Sequence, residues 1–171
     1  MPKVIQKSFK KMGEGVFYST KPISTFSRKL IPFLLNEARL SKKRRARICF
    51  HKSKDDIVHE MIILLLSDCY IRPHKHVGKV ESYHILEGSA ELLLFSDSGE
   101  VENIFKLDHD ENVYLRVNDE KFHTLKVNSN YLLFHETTNG PLDSSKTIFA
   151  DFSPVEGSNE AEYYMNGLRK V

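Results

Sequence analysis

The chain has 171 residues and a formal charge of +2, from 25 basic and 23 acidic side chains; 40% of it is hydrophobic and 28% charged. That is one domain's worth of ordinary globular composition, which excludes a disordered chain, and the balanced charge excludes a nucleic-acid wrapper. Cys49 and Cys69 are too few for a disulfide scaffold; both lie in apolar, strand-like surroundings and read as small buried hydrophobes in a reducing compartment.

In chain order, the first twenty residues read as a polar arm with one apolar patch, Val16-Phe17-Tyr18. The stretch Met1-Pro2-Lys3-Val4-Ile5-Gln6-Lys7 lacks the continuous apolar run of a secretory leader. The longest aliphatic run, Met61 to Leu66, falls far short of the roughly 20 residues a membrane-spanning helix needs. A cytoplasmic protein with no membrane span is expected. Ser19-Thr20-Lys21-Pro22 carries helix-start residues, and Phe26, Leu30, Phe33 and Leu34 recur at helical spacing, predicting an amphipathic helix over Ile23–Leu40. Pro32 kinks or splits it. The basic run Lys42 to Arg47 reads as a solvated turn. A second reading places some of its arginines, Arg47 among them, at an anionic group of a substrate.

From Ala46 the pattern changes to short β-rich runs: Ala46–His51, His59–Leu66, Tyr70–His76, Glu81–Leu86, Ala90–Phe95, Val101–Leu107, Asn112–Val117, Phe122–Val127, Tyr131–Thr137 and Thr147–Phe152. Many short strands with no helices between them predict an all-β antiparallel barrel or jelly roll. The tail ends in a short helix, Glu160–Leu168. The chain thus divides into an arm and helix (residues 1–44), a barrel (45–156) and a helical tail (157–171).

The chemistry concentrates in Pro73-His74-Lys75-His76-Val77-Gly78-Lys79-Val80-Glu81. Residues i and i+2 of a strand face the same way, so His74 and His76 project to one side. A turn at Gly78 then returns the chain as the paired strand and brings Glu81 beside them. Two imidazoles and a carboxylate in that arrangement form a facial set with open coordination positions. His123, opening a later strand, is the candidate fourth ligand. The resulting set suits one divalent transition metal: Zn, Fe, Mn, Ni, Co or Cu.

Neighbouring residues extend the site. Arg72 shares strand parity with His74 and His76 and is a candidate for binding an anionic substrate group. Tyr83 shares parity with Glu81 and is a candidate to place a hydroxyl near the metal. A two-residue turn at Ser129-Asn130 pairs 123 with 136 and brings Glu136 to the metal face; a three-residue turn brings His135 instead. Whichever of the two faces inward is a candidate general base or further ligand. His51, His59 and Glu60 form a second polar cluster, read as capping and surface hydrogen bonds. His84 is opposite in parity to Glu81, and His109 lies in an acidic loop.

These residues resemble the cupin superfamily. His74, His76, Glu81 and Gly88 match its first motif, with Asp68 where the leading glycine stands. Of the second motif only His123 is kept: Asn118, Glu120 and Val127 replace its proline, glycine and asparagine. A closer resemblance is to the WbuC-type cupin metalloproteins. It is carried by Arg45 to His51, His59-Glu60-Met61, Tyr70 to His76, Lys79 to His84, Phe122-His123-Thr124 and His135 to Pro141. The resemblance implies a double-stranded β-helix, a metal centre and a link to lipopolysaccharide O-antigen genes. The expectation is a metal-dependent enzyme, an isomerase, epimerase or oxygenase, acting on a small carbohydrate-related molecule. The alternative is a non-catalytic sugar-binding module with a regulatory or assembly role. A homodimer paired through sheet faces or N-terminal strands is also expected.

Overall fold

A computed structural model describes residues 8–168; the readings of Met1 to Lys7 and of the last three residues lie outside it. Among the described residues twelve strands and two α-helices follow in the order β1 (Phe9–Gly13), β2 (Val16–Ser19), α1 (Ile31–Leu40), β3 (Arg45–Cys49), β4 (Val58–Leu66), β5 (His74–His76), β6 (Glu81–Glu87), β7 (Ser89–Phe95), β8 (Val101–Asp108), β9 (Tyr114–Val117), β10 (Phe122–Val127), β11 (Tyr131–Asn139), β12 (Thr147–Phe149) and α2 (Asn159–Leu168). The strands form two facing sheets, a seven-stranded one in the order β1-β2-β3-β4-β11-β6-β9 and a five-stranded one in the order β12-β5-β10-β7-β8. This is the expected all-β jelly roll.

Alternation along each strand builds three apolar layers. Between the sheets lie Met61, Ile63, Leu65, Tyr83, Ile85, Leu92, Leu125 and Phe134. The opposite face of the seven-stranded sheet sends Ile48, Ile62, Leu64 and Leu133 against Phe33, Leu34 and Ala38 of α1 and against Phe17 of β2. The outer face of the five-stranded sheet meets α2 through Leu93, Phe95, Phe122, Ala161, Met165 and Leu168. Met61 to Leu66 is continuously apolar because β4 is covered on both faces.

Two sequence expectations change here. The N-terminal arm is a hairpin of two strands, and β2 pairs in parallel with β3 (Phe17 beside Ile48), so it extends the barrel's own sheet. The helix is shorter than Ile23–Leu40. Ser27 accepts a hydrogen bond from the Lys29 amide to start a single 3-10 turn, and α1 follows from Ile31. Pro32 neither kinks nor splits α1. It occupies the first turn, where its missing N–H has no helical partner to lose.

The run from β6 to β7 crosses from one sheet to the other at Gly88. Its φ is +87°, and a Cβ there would collide with the carbonyl oxygen of Tyr131. On the outer face of the five-stranded sheet, Lys126 and Glu91 form a buried cross-strand ion pair, and Lys126 Nζ also donates to the Leu168 carbonyl at the end of α2.

Candidate metal centre

A cavity of about 620 Å³ lies between the sheets. Its two walls carry different chemistry. From the five-stranded sheet come His74 and His76 on β5 and His123 on β10, with His74 and His123 directly paired. From the seven-stranded sheet come Glu81 and Tyr83 on β6, Glu136 on β11, and Arg47 and Cys49 on β3. One row across that sheet reads Cys49, Met61, Glu136, Tyr83, each in register with the next.

The three imidazoles each offer a ring nitrogen within 4.8 Å of the others. Each is oriented through its Nδ1. His74 Nδ1 donates to the Arg72 carbonyl at 2.8 Å and His123 Nδ1 to the Lys121 carbonyl at 3.0 Å. His76 Nδ1 lies 3.0 Å from the hydroxyl of Thr147 on β12. A carbonyl only accepts, so in His74 and His123 a proton sits on Nδ1, and Nε2 is the ring atom left for the cavity. Glu81 reaches them from the facing sheet. Its Oε1 is 3.2 Å from His76 Nε2 and its Oε2 is 3.2 Å from His123 Nε2. Tyr83 donates its hydroxyl to Oε2 at 2.8 Å.

His123 therefore stands between two acceptors, the Lys121 carbonyl and the Glu81 carboxylate. A neutral imidazole has one N–H to give, so the arrangement calls for a positive charge between Nε2 and Glu81. An imidazolium proton or a metal ion supplies it. The set of three Nε2 atoms and a carboxylate fits a borderline divalent ion, and these three histidines could hold one.

The titration pattern has the same origin. Burial, then the charge of His123, holds His74 down at about 4, the direction that keeps the ring neutral. Burial pushes the Glu81 carboxyl up, but hydrogen bonds from His123 and His76 outweigh it and hold it well below the ordinary carboxylate range. Burial and the neighbouring Glu81 push the Tyr83 hydroxyl up, so it stays a donor.

Glu136 is pushed up to about 8 by burial and by the charge of Glu81, partly offset by Arg47 and Lys79. The folded chain thus keeps a proton that the unfolded chain releases near the ordinary 4.5. This carboxyl's contribution to stability is full below that value and is lost as pH rises toward 8. Glu136→Gln removes the titration. In the metal-free state the parent should lose stability relative to that variant across this window, read by denaturant unfolding at each pH. Parallel pH curves would count against the assignment.

Several sequence expectations are corrected. Glu81 does not return beside His74 and His76 on a paired strand, because β5 and β6 belong to different sheets and it faces them across the cavity. Nor do β10 and β11 form a hairpin, so neither turn length decides between Glu136 and His135. Strand β11 pairs with β4 and β6, and there Glu136 lines the cavity while His135 points outward, its Nε2 3.8 Å from Glu60. Arg72 does not face the metal side. The segment Tyr70–Pro73 is not strand, so parity with His74 fails. Its guanidinium donates to the Ala150 carbonyl and to Ser153 and lies over the Phe149 ring.

The cluster of His51, His59 and Glu60 splits. Glu60 points outward toward His135, while His51 and His59 stack at 4.1 Å and line the cavity. Thr147, Lys79 and Cys49 also belong to the site and were not singled out for it. Lys79 precedes β6, in the connection after Gly78, where strand parity gives no signal. Thr147 comes from a distant strand that only the fold brings beside His76.

A family described as a domain of unknown function, DUF6016, matches residues 26–107. No curated protein matches the chain. Among solved structures, CapF with the inhibitor 3-isopropenyl-tropolone is similar at 14% identity and TM-score 0.54, over 63% of this chain and 32% of that one. The capsular polysaccharide assembling protein CapF from Staphylococcus aureus is similar at 14% identity and TM-score 0.51, over 60% of this chain and 29% of that one. The protein thus spans about a third of CapF's length. A Shewanella oneidensis protein solved by structural genomics is similar at 15% identity and TM-score 0.52, over 72% of this chain and 80% of that one. CapF is a cupin-fold protein.

The fold is that of the cupins.

His74, His76, Glu81 and His123 lie in the cavity between the two sheets of this fold. Among the described residues no helix is long and apolar enough to cross a membrane.

Proposed function

We propose that His74, His76, His123 and Glu81 hold one divalent transition ion, and that the protein is a metal-dependent enzyme of isomerase, epimerase or oxygenase type. The observation that carries this reading is the convergence of three imidazoles, each with a ring nitrogen within 4.8 Å of the others, on the Glu81 carboxylate, where His123 stands between two acceptors and calls for a positive charge at Nε2. When bound, the ion would supply Lewis-acid polarisation of a carbonyl or enediol oxygen. The chain's own residues divide the remaining work. Tyr83 fixes the Glu81 carboxylate by its hydrogen bond. Met61, Ile63 and Phe134 line the cavity with apolar surface. Glu136 faces the same space and holds a proton near neutral pH, suiting it to give or take one at a substrate carbon or oxygen.

A small carbohydrate-related substrate is supported by the WbuC-type resemblance and by the description of CapF as a capsular polysaccharide assembling protein. The same resemblance supports a role beside O-antigen biosynthesis. A cytoplasmic homodimer belongs to this reading too. Elemental analysis of the purified protein is expected to find about one transition ion per chain, and turnover should vanish on stripping and return on reloading. A replete protein without such an ion, or turnover that survives complete stripping, overturns the reading. Sugar binding that is metal-dependent but never followed by turnover would favour the binding-module alternative.

A further inference from the structure

The cavity contains a cation that the fold leaves without a counter-charge. Arg45, two residues earlier on β3, is paired with Glu156 at 2.8 Å, and Lys43 with the same carboxylate at 2.9 Å. Arg44 is paired with Asp68. Arg47 also faces the cavity, yet among the described residues no carboxylate lies within ion-pair distance of it, and its buried Nε has no protein hydrogen-bond partner. A buried N–H without an acceptor is costly enough that a persistent one calls for an explanation. Lys79 lines the same cavity and is likewise unpaired among the described residues. Glu136 lines the same cavity, and the charges of both partly offset its rise.

Arg47 and the imidazoles hang from opposite walls. Facing sheets stand roughly 10 Å apart, and a guanidinium on its long stem shortens the gap to a few bonds of a small molecule. The guanidinium fork matches the two oxygens of a carboxylate. A dianionic phosphate suits the place less, because Glu81 shares the cavity and repels a second negative charge more strongly than a first.

We infer that the cavity takes a small hydroxy- or oxo-carboxylate of the sugar-acid class, its carboxylate held by Arg47 with Lys79 beside it and its hydroxyl or carbonyl oxygens turned to the imidazole cluster. This rests on the proposed metal site for the second contact only; the first is independent of it.

The experiment titrates the metal-loaded and metal-stripped protein with three matched pairs: D-glucuronate against D-glucose, pyruvate against hydroxyacetone, and glycolate against ethylene glycol. Inorganic phosphate is a further arm, and binding is read by calorimetry. At least one carboxylate is expected to bind more tightly than its neutral partner by roughly ten- to a hundred-fold, the scale of a charge-assisted contact, and more tightly than phosphate. Arg47→Gln should erase that preference while leaving the metal content and the neutral ligand's affinity unchanged. The inference is overturned if no carboxylate in the panel outbinds its neutral partner, if phosphate binds best, or if Arg47→Gln keeps the preference. The parent comparison needs no variant, so it decides even where Arg47→Gln does not fold. Should the protein prove unable to hold a metal, the metal reading falls, and a carboxylate preference that persists in it leaves the Arg47 contact standing.

Discussion

Replacing His123 with alanine is expected to lower the affinity for a divalent transition ion by more than about 100-fold, since disturbing outer-sphere partners of a ligand already costs about 10- to 100-fold. His123 is 2% exposed and, among the described residues, is the only imidazole set between a backbone carbonyl and Glu81. Its loss also removes the hydrogen bond that helps hold Glu81 ionised. Ion content per chain and a calorimetric titration of the stripped protein measure the effect. His135→Ala is the control, because that ring points outward toward Glu60 and its removal should leave ion affinity unchanged. An H123A protein that binds the ion as the parent does would show that the three imidazoles do not act together.

The second large effect concerns the layer behind the cavity. Phe17 is fully buried, its ring edge-on to Phe33 of α1 at 4.9 Å, with the Lys11 ammonium over it at 5.5 Å. Its backbone pairs with Ile48 of β3. Truncating a buried phenylalanine costs about 3–5 kcal/mol. Phe17→Ala should therefore lower the melting temperature by roughly 6–20 °C for a domain of this size. Thermal unfolding measures it. A change below about 1 kcal/mol would mean that the N-terminal hairpin and α1 do not unfold together with the barrel, an outcome the shared sheet argues against.

What the sequence revealed and what it hid separate along a physical line. Strand positions were legible because alternation depends on neighbours one and two residues away. Met61 to Leu66 and Phe122 to Val127 announce themselves in this way. Partners were not legible, because pairing is decided by where a connection sends the chain. The links after His76 and after Val127 are short enough for hairpins, and both cross to the facing sheet instead. His74, His76, Glu81, His123 and Glu136 nevertheless share one cavity, since inward-facing parity meets in the interior whichever wall a strand joins. Arg72 shows where parity stops working. It counts only within a strand, and β5 begins at His74, after Pro73. The helix start failed for a similar reason. Ser19 and Ser27 are both plausible caps by residue type, and only Ser27 has its oxygen on a free amide at a helical turn.

The division of the site between two walls has a mechanical meaning. The imidazoles hang from the five-stranded sheet and Glu81 from the seven-stranded one, so a particle gripped by all four would act as a rivet through the sandwich. Prying the sheets apart would then require releasing it, and the concentration of free ion in the surroundings would set how tightly the shell stays shut.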